Sequence, residues 1–382
     1  MHAVYMHSVT ETIDHPQTYS GMRTLVAVLM LTLLAACGSE PHPSEGAVRT
    51  VERATVTDVP GGDGPILCTG PVRESAPPQC EGPVISNWDW DKVWGAAGEA
   101  GARFGDFCFE GKDVGDTFQL TTLPRPVGTC EEQEYRGFGT VLENKDHGPQ
   151  LCLGAVATSY PVQCGGPDIT NWDWTRTKPT TEIGESKDGL YVVHGVYVSG
   201  DFILTRPPKA WDESDAQPEE PMRDFTTPCP EPAGGWFPKD RPRLDELAVD
   251  RAAPFAETIP GYSELWLDQQ FNKGIENDPN KTILNLRVTK DAKDAETAMR
   301  NVWKGALCVS EAKHTNNELQ RIQDEAGRAA GKLLLGSSSG NDQVDVDVIV
   351  DQGGRLQEQL DAKYGTGTVR VNSALVEAPP GM

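Results

Sequence analysis

The sequence predicts a multidomain protein in which two tandem, small all-β modules are followed by an α+β domain. Residues 64–121 and 148–205 align without a gap at an offset of 84, and 23 of the 58 aligned positions are identical. In both copies, short β-branched and aromatic runs alternate with Gly-Pro steps, which end strands. Beyond residue 238 the apolar residues recur at a mixture of helical and alternating spacings.

The first element along the chain is an export signal. Arg23 precedes a run of about ten apolar residues that ends in small residues and Cys37. This run is too short to cross a bilayer, so we expect residues 1–36 to be a signal peptide that is removed, with Met22 as the true start. The ending resembles a bacterial lipobox, which implies that Cys37 is lipidated; the alternative is an ordinary cleaved signal with an incidental cysteine. Residues 37–47 are predicted to tether the protein to the extracytoplasmic face of the cell membrane.

The charge of the chain limits its partners. A formal net charge of −23 argues against nucleic-acid binding, which needs clustered Lys and Arg on a phosphate-binding face. The same charge disfavours adhesion of the protein surface to an anionic membrane. The membrane contact is therefore predicted to be made by the N-terminal lipid alone.

Eight further cysteines follow Cys37, and an even number in an exported chain predicts disulfides. Two pairs share a spacing of twelve residues at equivalent repeat positions, so each module is expected to close its own bond. The next unmatched cysteines are expected to pair with each other, which leaves one pair between the linker and the C-terminal domain. The predicted pairs are Cys68–Cys80, Cys152–Cys164, Cys108–Cys130 and Cys229–Cys308.

Each repeat is predicted to fold as a small closed barrel, OB-like, with a β-sandwich as the alternative. Residues 48–130 are assigned to module 1 and residues 131–207 to module 2. The predicted strands are Arg53–Val59, Ile66–Thr69, Arg103–Phe109 and Thr117–Thr121 in module 1, and Gly139–Leu142, Gln150–Leu153, Leu190–Val198 and Asp201–Leu204 in module 2. The copies diverge most at 91–104 and 175–188, which we expect to be exposed loops. The acidity of both modules argues against the nucleic-acid binding that an OB-like barrel suggests.

A pair of tryptophans in each module is the candidate ligand contact. Trp88 and Trp90 of module 1 recur as Trp172 and Trp174 of module 2, each pair around an aspartate. Exposed indole rings of this kind could stack on sugars or on aromatic side chains. Packing is the favoured interpretation, because an extended segment would place the two rings on opposite faces, with one ring beneath the barrel. Asp89 is then expected to cap a turn.

An acidic, proline-rich segment separates the modules from the C-terminal region. Residues 208–238 are too polar and too rich in proline to bury a core, so they are predicted to be a linker or a loop draped over the surface. Residues 239–382 are predicted to form the α+β domain.

The predicted order of elements in that domain is that of a ferredoxin-like fold with one inserted helix. Thr315 and Glu318 form the capping box of a predicted helix, and the valines of Val344–Val348 are expected to face a core. Ser337–Gly340 is predicted to be a flexible turn. The remaining predicted elements are strands at Tyr262–Leu267, Thr282–Val288, Ala306–Ser310 and Thr368–Val371, and helices at Asp291–Trp303 and Arg355–Lys363.

Two resemblances accompany these patterns. The segments Tyr262–Asp268 and Leu284–Thr289, then a helix, a strand and Glu318–Ile322, are similar to the pro-regions of secreted actinobacterial serine proteases of the α-lytic and streptogrisin type. The likeness covers roughly residues 262–371 and implies a fold and a protease-binding surface. No protease sequence follows before Met382, so it does not imply proteolysis. The tandem modules also resemble those of uncharacterised actinobacterial lipoproteins, which imply no activity.

Catalytic patterns are missing from the predicted mature sequence. Its four histidines are His42, His147, His194 and His314, and no two have metal-ligand spacing. There is no His-Glu-x-x-His, no Cys-x-x-Cys, no P-loop and no nucleophile elbow. Carboxylates are so frequent that no pair stands out as acid and base. We therefore predict no metal, no cofactor and no enzymatic activity.

The favoured function is a membrane-anchored binding or scaffold protein for an envelope or secreted protein. One alternative is an envelope hydrolase whose site is assembled from scattered carboxylates. A second alternative is a glycan- or solute-binding lipoprotein that uses the four tryptophans of the modules.

Overall fold

The computed structural model describes residues 46–99, 101–154, 164–215, 224–271 and 278–379. The predicted signal peptide and Cys37 lie outside these described residues. Strands greatly outnumber helices in the described part of the chain, and they form several sheets. The protein is therefore mostly β, as the repeat composition predicts.

Module 1 contains a ring of paired strands. Its strands are β1 (Val48–Asp58), β2 (Ile66–Leu67), β3 (Val84–Ile85), β4 (Ala97–Glu99), β5 (Ala102–Val114), β6 (Thr117–Leu120) and β7 (Arg125–Pro126). β1 pairs antiparallel with β2 and with β5, β2 pairs with β3, β3 runs parallel to β6, and β6 pairs back with β5. Because the pairing returns to β1, the inward side chains enclose one core. Its largest members include Val56, Leu67, Phe107 and Phe118.

Module 2 repeats this arrangement. Its strands are β8 (Glu134–Asn144), β9 (His147–Cys152), β10 (Thr181–Ile183), β11 (Ser186–Val198), β12 (Asp201–Leu204) and β13 (Lys209–Ala210). β8 pairs with β9 and β11, and β11 pairs with β12. Single bridges at Asp168 and Ile169 close the remaining side, the second one parallel to Phe202. The predicted strands of both modules are thus present, although most extend beyond the predicted limits.

One glycine in each module is required by a close backbone approach. A Cβ on Gly82 would lie 1.8 Å from the Leu67 carbonyl oxygen, and one on Gly166 would lie 1.8 Å from that of Leu151. No side chain fits there. The Gly-Pro step after the second cysteine of each module is therefore a packing requirement as well as a turn.

The C-terminal region contains two three-stranded sheets, so the ferredoxin-like fold expected for it is not confirmed. The elements are α1 (Ala248–Glu257), β14 (Tyr262–Asp268), β15 (Ile283–Val288), α2 (Ala292–Met299), β16 (Ala306–Glu311), α3 (Asn316–Ala330), β17 (Leu334–Gly340), β18 (Gln343–Val348), α4 (Arg355–Tyr364), β19 (Val369–Ser373) and β20 (Val376–Glu377). β15 pairs with β14 and lies parallel to β16, and β18 pairs with β17 and lies parallel to β19. Each half of the region therefore has the order αββαβ.

Strand β17 is the reason for this difference. Ser337, Ser338 and Ser339 have low strand propensity and were expected in a turn, but they pair with the alternating valine strand β18. The predicted capping box of Thr315 and Glu318 is confirmed, with reciprocal hydrogen bonds at the start of α3. The three valines of β18 are buried and Asp347 is exposed, as the alternation predicts.

The described residues belong to one compact unit. Trp94 of module 1 is 2% exposed and lies in the core of module 2 with Ile349 and Leu375 of the C-terminal region. The expectation that 91–104 is an exposed loop is wrong for this reason. The described end of the linker is draped over the surface, since Cys229 and Trp236 pack against the sheet that contains β15 and β16.

Candidate functional site

A groove with a volume of about 1020 Å³ lies where both modules meet the end of the chain. Thr50 and Glu52 of β1 and Glu110 of β5 line one side, and residues 122–134 line another. Module 2 contributes Arg206 to the wall. Because Val51 and Phe109 point into the core of module 1, their neighbours in these strands face outward, toward the groove. We call this space the inter-module groove.

A disulfide and an arginine hold the wall formed by residues 122–134. Cys130 is bonded to Cys108 of β5. Arg125 Nη2 donates to the main-chain carbonyls of Thr129 and Glu132, the latter at 3.0 Å. Burial lowers the pKa of the Arg125 guanidinium, and its Nε is a buried nitrogen without a hydrogen-bond partner among the described residues. The half-buried Arg125 side chain therefore stabilises this wall of the groove through hydrogen bonds to its main chain.

An ion pair within module 2 lies at the edge of the groove. Arg206 donates to Glu134 through Nε at 3.0 Å and through Nη2 at 2.5 Å, and Thr205 donates to the same carboxylate. Burial opposes ionisation of Glu134, but the hydrogen bonds from Arg206 and Thr205 outweigh it and lower the pKa of the carboxyl group. Glu134 is therefore ionised and fully engaged at neutral pH.

The other carboxylates of the groove form no ion pair with any residue in the described ranges. Glu52, Glu110, Glu131 and Glu132 are exposed, and none forms an ion pair with a residue that the structure describes. The lining contains five glutamates and two arginines, a formal charge of −3. Arg206 is neutralised by Glu134, whereas Arg125 keeps its charge beside Glu132, so the net charge of the lining is negative. The groove is suited to a cationic ligand.

The tryptophans of the modules pack on one another. The ring centroids of Trp88 and Trp90 lie 5.1 Å apart, and those of Trp172 and Trp174 lie 5.2 Å apart, both in edge-to-face geometry. The expectation that the rings lie on opposite faces is wrong, because residues 90–92 form a short 3₁₀ helix that ends the extended segment. Asp89 caps that helix, as predicted.

The indole nitrogens of the four rings differ in their hydrogen bonding. Trp90 Nε1 donates to Asp58 at 2.9 Å, and Trp174 Nε1 donates to Glu143 at 2.7 Å. The indole nitrogens of Trp88 and Trp172 are buried without a hydrogen-bond partner among the described residues. All four rings belong to, or pack against, the cores of the modules, which supports packing as the role of the pair.

The four predicted disulfides are present, two within the modules, one along the groove wall and one between the linker and β16. His147, His194 and His314 lie in separate places, and His42 lies outside the described residues. Among the side chains that the structure describes, no group of three or more His, Cys, Asp and Glu is placed to hold a metal ion. No helix in the described ranges is both long enough and apolar enough to span a membrane.

Sequence reasoning missed the groove and Trp94. The run Glu131-Glu132-Gln133-Glu134 beside Cys130 was a signal for the groove, since it concentrates acid next to a disulfide. Trp94 aligns with Lys178 in the repeat, and an apolar residue without a counterpart marks a contact that the copies do not share.

The chain was compared with protein-family models and with curated protein sequences. No family model matches the chain, and no curated protein sequence matches it.

Proposed function

We propose that this protein is a lipid-anchored binding protein on the extracytoplasmic face of the cell membrane, and that its inter-module groove takes a cationic segment of an envelope or secreted protein. The observation behind the proposal is the groove itself, with four exposed carboxylates free of ion pairs beside two engaged arginines. Acidic rims of this kind steer and orient a basic partner.

The proposal for the scaffold is that each module, 48–130 and 131–207, is an OB-like barrel. The ring of pairings and the parallel contact between β3 and β6 support this assignment. Two rigid barrels joined through Trp94 hold the groove open without a ligand. A preformed site binds at a lower entropic cost than one that must be assembled.

The anchor is proposed to be a lipid on Cys37. The layout of the sequence before this cysteine supports the proposal. Expression of Cys37→Ala in a lipoprotein-processing bacterium should release the protein from the membrane fraction. If the variant stays in the membrane fraction as efficiently as the parent chain, the anchor is not at Cys37.

Binding is proposed in preference to hydrolysis. The pKa of Glu134 in the groove lining is shifted downward, and Asp212 and Glu325 have pKa values of about 2. A catalytic carboxylic acid requires the opposite shift, because it must hold its proton near neutral pH. A screen of hydrolase substrates tests this choice, and turnover that disappears with one or two carboxylates would reject it.

The partner is proposed to be a protein outside the cytoplasm. The resemblance of residues 262–371 to protease pro-regions supports a secreted serine protease as one such partner. If this is right, the full chain should inhibit a secreted bacterial protease of that type at equimolar concentration. Undiminished protease activity in a tenfold excess of the chain would remove this class of partner, on the scale of ordinary affinities.

Charge neutralisation tests the groove. The double change Glu131→Gln and Glu132→Gln should weaken binding of a fluorescent lysine-rich octapeptide by roughly tenfold and reduce its sensitivity to salt. The matched control is Glu185→Gln with Glu358→Gln, which changes the net charge equally at exposed positions outside the groove. Equal losses in both double variants would show that the peptide responds to overall charge, and the groove would not be the site.

A further inference from the structure

The end of the described chain adds a strand to module 2. β20 pairs antiparallel with β8, with Val376 opposite Arg136. The Ala378 N–H donates to the Glu134 carbonyl oxygen at 2.9 Å. The protein therefore closes this edge of its second barrel with its own C-terminal segment.

The corresponding edge of module 1 lies at Thr50. Arg136 of β8 pairs with His194 of β11, and Thr50 of β1 pairs with Glu110 of β5. His194 and Glu110 are equivalent at the repeat offset of 84, so Thr50 occupies the place of Arg136. Within the described ranges, no strand pairs with β1 at Thr50 on the side away from β5.

The main-chain groups of Thr50 point toward this open edge. The Glu110 N–H donates to Thr122 Oγ1 at 2.8 Å, and the Glu110 carbonyl accepts from the Thr121 N–H at 2.8 Å, so both groups turn away from β1. Opposite residues of an antiparallel ladder either exchange both hydrogen bonds or both turn away. The N–H and C=O of Thr50 therefore face outward, as a template for another strand.

The residues around the open edge of β1 differ from those around the equivalent edge in module 2. This difference indicates which kind of strand can bind to β1. Leu375, just before β20, reaches the core of module 2 over Gly137, where a Cβ would lie 2.6 Å from its Cδ2. In module 1 the matching position is Val51, which fills that space itself. An added strand therefore gains no apolar anchor there. It meets exposed Val48 and the carboxylates of the inter-module groove, which Thr50 also lines.

We infer that the open edge of β1 binds an extended, lysine- or arginine-rich segment of an envelope or secreted protein by β-strand addition. Backbone hydrogen bonds to Thr50 supply the pairing, and the carboxylates of the groove select the basic side chains. The inference rests on the proposed function, because it names how the groove holds its cationic ligand. The equivalent edge of module 2 is not a competing site, since β20 already occupies it.

Peptide chemistry tests this inference with the full chain purified in detergent. The probe is a fluorescent octapeptide of alternating lysine and threonine, and binding is followed by fluorescence anisotropy. Two further peptides of the same sequence carry N-methyl groups on alternate amides, one set in each phase. We expect at least one N-methylated peptide to bind about tenfold more weakly, because it cannot donate to the strand edge.

A protein variant tests the same hydrogen bonds from the other side. Thr50→Pro removes the outward N–H, and the ladder to β5 does not use that group. It should weaken the unmodified peptide by about tenfold. Thr50→Ala keeps the N–H, so an equal loss in that variant would assign the contact to the side chain and overturn strand addition. Peptide binding should also slow hydrogen exchange of the Thr50 amide in the unaltered chain, a readout that does not depend on the folding of a variant.

The outcomes separate the two proposals. If both N-methylated peptides bind as tightly as the parent, and the Thr50 amide is not protected, strand addition is wrong. In that case the groove remains the proposed binding site, provided that the double change Glu131→Gln and Glu132→Gln weakens binding of the peptide. If the lysine peptide does not bind, or if the double change at those two glutamates leaves its affinity unchanged, the proposed function is wrong.

Discussion

Replacement of Trp94 by alanine should destabilise the protein and uncouple the unfolding of the two modules. The Trp94 side chain is 2% exposed, although it belongs to module 1 and packs in the core of module 2. Its Nε1 donates to the Asn171 carbonyl at 2.9 Å, and the Arg176 guanidinium lies 4.4 Å from its ring centroid. These contacts cross from one repeat to the other, so their loss acts on the junction.

The expected cost follows from area and hydrogen bonding. A tryptophan buries about 200 Å², which at about 25 cal/mol/Å² corresponds to roughly 5 kcal/mol. The alanine retains part of that area, and the lost hydrogen bond adds about 1 kcal/mol, so we expect a loss of about 4–5 kcal/mol. Trp94→Phe keeps most of the apolar area and should lose only about 1–2 kcal/mol, because it leaves the Asn171 carbonyl unpaired.

Equilibrium urea denaturation measures this loss, with tryptophan fluorescence and circular dichroism as separate probes. In Trp94→Ala the two transitions should no longer coincide, because the modules unfold separately. Trp211→Ala is the matched control, since Trp211 is half-buried and its ring packs on Phe138 of module 2. If Trp94→Ala costs no more than Trp211→Ala and its transitions still coincide, Trp94 does not join the modules.

Three further predictions concern the groove, the linker and the barrel turn. Glu134→Gln should destabilise the protein by about 2 kcal/mol at neutral pH, because it leaves Arg206 without its carboxylate. The folded-state pKa of Glu134 is lowered from 4.5, so the difference from the parent should be complete above 4.5 and should be lost as the pH falls through the lower, folded-state pKa. Cys229→Ser should cost about 4 kcal/mol in urea denaturation, since the bond to Cys308 closes a loop of 79 residues. Gly82→Ala should cost several kcal/mol or prevent folding, because its Cβ would overlap the Leu67 carbonyl.

Each of these three predictions has a control variant or an outcome that would contradict it. A loss in Glu134→Gln that stays constant from neutral pH to acid would show that the charge of Glu134 is not the cause. Reduction of the parent chain should reproduce the effect of Cys229→Ser and add the loss of the other three bonds. Gly70→Ala is the control for Gly82→Ala, because a Cβ at Gly70 meets no atom within 4 Å. A similar loss in both variants would reject the close approach as the reason.

The disulfides, the two β modules and much of the local structure were predictable from the sequence. Cysteine spacing repeats with the module, and a loop of twelve residues joins cysteines that are near each other in any compact fold. The capping box at Thr315 and the alternation in β18 are equally local, since they depend on neighbours three or two residues away. The ferredoxin-like interpretation did not include strand β17, because Ser337–Ser339 have low strand propensity and form a strand through pairing with β18.

By itself, the sequence determined the repeat, its strands, its covalent pairs and the acidity that limits the partners. Only the tertiary structure decided that Trp94 enters the neighbouring module, and that the carboxylates of β1, β5 and residues 131–132 share one groove. It also decided that β20 pairs with β8 of module 2, whereas no described strand covers the equivalent edge at Thr50. The physical reason is distance along the chain. Spacing and periodicity record interactions within a few residues, whereas these features depend on which finished surfaces bury the most apolar area against one another.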